Sequence, residues 1–93
     1  MSEQPKNNDW RLHGQENYLA NVQLFWRAWR QRQADWDHDH CAFCWAKFAE
    51  YDAPDVQHNA YATDDDFHWV CGQCARDFAS QFGFTFVGGP AAP

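Results

Sequence analysis

The sequence predicts a small α+β domain, and three features point to it. At 93 residues the chain is one domain with a narrow core. Its apolar residues follow a helical period in one stretch and alternate in another. Its four cysteines fall into two Cys-x-x-Cys pairs, 41–44 and 71–74, which suit metal better than a broad hydrophobic interior. Six Trp, eight Phe and three Tyr, with no Ile and Met only at position 1, leave a few large rings and a metal to do the work of an aliphatic core.

In chain order, residues 1–8 read as a polar tail without the apolar run of a secretory signal. No stretch approaches the roughly 20 apolar residues of a membrane span, so the expected location is cytoplasmic. Trp10 to His13 reads as a short strand or extended lead-in, and Gly14 separates it from a long helical pattern. Residues 9–34 are expected to be mainly one long amphipathic helix from Gln15 to Gln33. Tyr18, Val22, Phe25 and Trp29 would form its inner face, flanked by Leu19 and Trp26. No Pro or Gly interrupts it. On the opposite side Ala20, Leu24 and Ala28 form a narrow stripe, read either as good helix formers or as a contact surface.

Residues 35–87 are expected to form the metal-binding part. Asp35 to His40 leads into Cys41, and Trp45 to Glu50 reads as a turn or short helix with Phe48 inward. Residues 51–59, with Pro54, read as a loop. Tyr61 and Thr63, the acidic turn Asp64-Asp65-Asp66, then Phe67 and Trp69 predict a β-hairpin. Cys74, Phe78 and Phe82 share one face of a final helix that Gly83 would end. Phe84 to Val87 suits one more strand, and residues 88–93 read as a tail.

Two residues between paired cysteines let a tight turn aim both sulfurs at one point. Cys41, Cys44, Cys71 and Cys74 therefore supply a complete tetrahedron, and one structural zinc ion is the expected cofactor. In a reducing compartment thiols serve metal or redox roles, which makes a two-disulfide scaffold the poorer account. Gly commonly follows the second cysteine of a rubredoxin-type iron knuckle, whereas Trp45 and Ala75 stand here, which favours zinc over iron. His13, His38, His40, His58 and His68 read as surface or neighbouring groups, with replacement of one cysteine by a histidine the competing reading. The aspartate runs 35/37/39 and 64/65/66 lack the ligand order of an EF-hand and read as solvated turns.

The order of knuckle, hairpin and cysteine pair at a helix start, over residues 39–82, resembles the treble-clef family of zinc domains. A zinc ribbon, with both pairs on hairpin knuckles, stays open as a variant. The run Trp36 to Cys44 with His68-Trp69-Val70-Cys71 is also similar to small uncharacterised bacterial proteins, a resemblance that implies no established activity.

Net charge is −6 and unevenly placed. Residues 1–34 carry five basic side chains against three acids, a net +2, and residues 35–77 carry ten acids against Lys47 and Arg76, a net −8. An acidic body repels phosphate backbones. Four thiolates would leave a metal no open position for water, so no enzyme activity is expected. The expected function is a structural zinc-binding protein-interaction module of adaptor, regulatory or immunity-type inhibitor kind. Its partner would be a basic protein, or a second copy through the N-terminal helix. A nucleic-acid-binding zinc protein, using Arg27 and Arg30, is the alternative.

Overall fold

A computed structural model of the chain describes residues 9–92; the expected polar tail 1–8 and Pro93 lie outside them. The elements are α1 (Glu16–Leu19), β1 (Gln23–Ala28), β2 (His38–His40), β3 (Lys47–Ala49), β4 (Val56–Gln57), β5 (Asn59–Ala62), β6 (Trp69–Val70), α2 (Gly72–Phe82) and β7 (Thr85–Val87). One sheet has the order β6-β5-β1-β7, and a smaller one the order β2-β3-β4.

The long N-terminal helix is not formed. Only one turn, α1, is helical, and the aromatic run after it is strand β1. The run satisfies two periods at once: Phe25 and Trp29 continue the helical stripe of Tyr18 and Val22, while Leu24 and Trp26 alternate with Phe25 and Arg27 as in a strand. Helix propensity is worth only tenths of a kcal/mol per residue, roughly, and strand pairing overrides it. β1 lies antiparallel to β5, with Trp26 opposite Tyr61, and parallel to β7, with Leu24 opposite Phe86. Leu24, expected on an outer stripe, is fully buried. Neither that stripe nor self-association through such a helix therefore stands.

The expected hairpin is formed by β5 and β6, with Tyr61 opposite Val70 and Ala62 opposite Trp69, but Thr63 and Phe67 fall in the connection rather than in its strands. Facing residues in a ladder share a side, so Trp26, Tyr61 and Val70 line one face of the sheet, and Phe25, Ala62 and Trp69 the other. Gly72, the first residue of α2, lies against Trp26 on the former face. Phe48 of β3 meets Trp69 on the latter, with ring centroids 6.3 Å apart. Residues 45–50 hold a strand rather than a helix because β3 pairs with β2 across the first cysteine turn, although Phe48 does face inward. Part of the expected 51–59 loop adds strand β4.

Helix α2 buries Cys74, Ala75, Phe78 and Phe82 and ends at Gly83, whose left-handed backbone (φ 70°) sends its N–H to the Ala79 carbonyl. Phe43, from the first cysteine turn, stacks on Phe78 at 4.6 Å and meets Phe82 edge-on at 5.2 Å. The core is thus aromatic and centred between the two cysteine pairs. Residues 88–92 do not trail away. The Tyr61 hydroxyl donates to the Gly88 carbonyl at 2.7 Å and accepts from the Ala91 N–H at 2.9 Å. Gly89 (φ 78°) passes so close to Trp26 and Tyr61 that no side chain fits there.

Candidate metal centre

Each cysteine pair is presented by a different local structure. Cys41 and Cys44 sit in the turn joining β2 to β3, which the Cys41 N–H closes by donating to the Ala46 carbonyl at 2.7 Å. The Ala42 N–H donates to the Trp69 carbonyl at 2.8 Å, so this turn is docked on β6. Cys71 comes directly after β6 and caps α2, its Sγ accepting from the Cys74 N–H at 3.4 Å. A helix N-terminus favours negative charge, which suits a thiolate.

All four expected ligands are brought together. The sulfurs of Cys41, Cys44, Cys71 and Cys74 lie within 4.8 Å of one another, and none is in a disulfide. Cys44 Sγ and Cys71 Sγ are 3.7 Å apart. A tetrahedron with metal–sulfur bonds of about 2.3 Å has edges of about 3.8 Å, so this spacing fits a four-coordinate zinc-type ion. Cys41, Cys71 and Cys74 are buried and Cys44 is half-buried. Among the described residues no histidine or carboxylate joins this cluster.

The sulfurs perturb one another strongly. Thiols of Cys71 and Cys74 donate toward Cys41 and hold its pKa far below the ordinary thiol value, helped by backbone amides. The Phe43 and Cys71 N–H groups both reach Cys41 Sγ at 3.4 Å. Cys71 and Cys74 are pushed up, chiefly by their interaction with Cys41. Like charges so close do not ionise together unless a cation lies between them.

Two residues that support the cluster carry no signal in the sequence. Arg11 falls in the expected lead-in strand, yet its Nη1 donates to Cys74 Sγ at 3.5 Å and to Asp77 at 2.9 Å. Asp9 holds its other edge at 2.7 Å, and the guanidinium lies 4.5 Å over the Phe78 ring. Gln15, 1% exposed, falls at the start of the expected long helix. Its amide donates to the Arg11 carbonyl at 2.8 Å and the Ala42 carbonyl at 2.9 Å, and its oxygen accepts from the His13 N–H at 2.6 Å. No local pattern marks what either residue does at the cluster, because their partners there, Cys74 and Ala42, lie 63 and 27 positions away.

The aspartate runs are not uniformly solvated. Asp39 accepts from the indoles of Trp29 at 2.8 Å and Trp36 at 3.1 Å. Asp66, with left-handed backbone, pairs with Arg27 and Arg32. Comparison with family models, curated proteins and solved structures finds no match, so the site stands on its own geometry. Among the described residues no helix is long and apolar enough to cross a membrane.

Proposed function

We propose that this chain is a structural zinc protein of treble-clef type that acts by binding another protein and performs no catalysis. The observation that carries the reading is the closed set of four mutually adjacent cysteine sulfurs at the junction of β2–β3, β6 and α2. Cys41, Cys44, Cys71 and Cys74 would hold the ion, and its contribution would be folding energy, since four thiolates leave no position for a reacting water. The order of cysteine hairpin, β5–β6 hairpin and cysteine-capped helix supports the treble clef over a ribbon, because the second pair opens a helix.

Binding of a protein is supported by the −6 charge and by large apolar side chains left exposed, among them Trp45 and Phe67 at 65% and 59%. Such a surface suits adaptor, regulatory or inhibitor roles toward a basic partner. The nucleic-acid alternative loses the helical surface that motivated it, since Arg27 lies in β1 and is engaged by Asp66. The test is elemental analysis of freshly purified protein, followed by affinity capture with and without nuclease. One zinc per chain and nuclease-resistant capture of a protein fit the proposal. Iron-type visible absorption would refute the metal assignment, and capture of nucleic acid alone would refute the functional one.

A further inference from the structure

Beside the acidic turn between β5 and β6 the surface opens into a groove of about 690 Å³, lined by Tyr18, Val22, Phe25, Asp64, Asp65 and His68 among others. Its wall is aromatic. The Tyr18 and His68 rings lie 4.5 Å apart, and Phe67 backs His68 at 4.8 Å. Tyr18 leaves 45% of its surface to solvent although no catalytic or metal role calls for it there. The rim is anionic: the Asp64 side chain is 91% exposed and meets Arg27 only at 3.9 Å, although Arg27 also donates to the Asp64 carbonyl at 3.3 Å. Asp65 is held ionised, first by the Thr63 hydroxyl and then by the Phe67 amide.

The neighbouring cations do not neutralise this rim. Arg27 and Arg32 both make their close ion pairs with Asp66, so three carboxylates face two guanidiniums. Arg27 also lies 4.7 Å over the Phe25 ring, so the same corner already holds one cation between an aromatic face and a carboxylate. An anionic occupant would meet Asp64 and Asp65. A wholly apolar one would strip water from them without replacing it. An apolar stem ending in a positive charge satisfies both wall and rim.

We infer that this groove receives a lysine or arginine side chain from an exposed segment of a basic partner protein. The groove is larger than one side chain needs, so flanking residues of that segment would lie in it too. This inference rests on the protein-interaction reading and locates its contact.

The test uses the full zinc-loaded chain and a blocked hexapeptide of alternating lysine and arginine, followed by heteronuclear NMR. The control peptide carries norleucine and citrulline instead. Saturable shifts at Tyr18, Phe25 and His68 are expected, with the control at least about tenfold weaker. Tyr18→Ala and Asp64→Lys should each weaken binding about three- to tenfold while the tryptophan near-ultraviolet dichroism stays unchanged. Equal binding of both peptides, or no shift at millimolar peptide, overturns the inference. Charge-dependent shifts confined to the Trp45 and Tyr51 surface would also overturn it, while leaving the interaction reading intact.

Discussion

The two Cys-x-x-Cys pairs share a spacing and little else. The first turns between antiparallel strands, and the residue after its second cysteine, Trp45, takes a left-handed backbone (φ 68°) with its ring 65% exposed. The second opens a helix, and the equivalent residue, Ala75, is helical and fully buried. Each pair also has its own strap from residues 9–15: Gln15 holds the Ala42 carbonyl of the first, and Arg11 holds Cys74 and Asp77 of the second. Spacing aims two sulfurs at one point, but the residues after the second cysteine decide whether a strand or a helix leaves the site.

The largest expected effect removes what the pairs share. The proposed structural zinc would contribute an apparent binding energy of about 10–16 kcal/mol, beyond what so small a core replaces. Chelation, Cys41→Ser or Cys71→Ser should therefore abolish tertiary near-ultraviolet dichroism and disorganise both pairs together. A pair that kept its signal alone would show that they fold separately. Without a cation Cys71 and Cys74 hold their protons, because their pKa values are raised, so metal uptake at neutral pH must release protons. Affinity should then rise with pH and fall on acidification, by about tenfold per unit for each proton released. Calorimetry in buffers of different ionisation enthalpy measures that release.

The straps come next. Gln15→Ala leaves the half-buried carbonyls of Arg11 and Ala42 without this partner and should cost about 1–2 kcal/mol in chemical denaturation. Arg11→Met should keep the ligands but lower metal affinity about 10- to 100-fold, measured by competition with a chromophoric chelator. The smallest effects have opposite sign. Ala75→Gly should destabilise by about 1–2 kcal/mol, through helix propensity and a lost buried methyl. Trp45→Gly should be neutral or stabilise by up to about 1 kcal/mol, since Gly relieves the left-handed backbone and the exposed ring contributes little burial. Equal losses from the two substitutions would mean that the pairs are alike after all.

The features legible in the sequence are local ones. Two residues between cysteines set the direction of their sulfurs, and Cys74, Phe78 and Phe82 ahead of Gly83 define a helix and its end within three turns. The acidic turn between alternating aromatic residues likewise marks the β5–β6 hairpin, whose strands are near in sequence. Strand β1 is different. Its aromatic run fits a helical stripe and an alternating strand equally well, and the choice belongs to partners far away, β5 from Asn59 and β7 from Thr85. Arg11 and Gln15 depend on that choice, because only a short α1 leading into β1 brings residues 9–15 against the cysteine turns. The sequence by itself determined the two cysteine turns, the final helix and the acidic hairpin, whose physics closes within a few residues. Tertiary structure decided the strand at the centre of the sheet and the straps on the metal centre, because hydrogen bonds to distant backbone outweigh a helix preference of a few tenths of a kcal/mol, roughly, per residue.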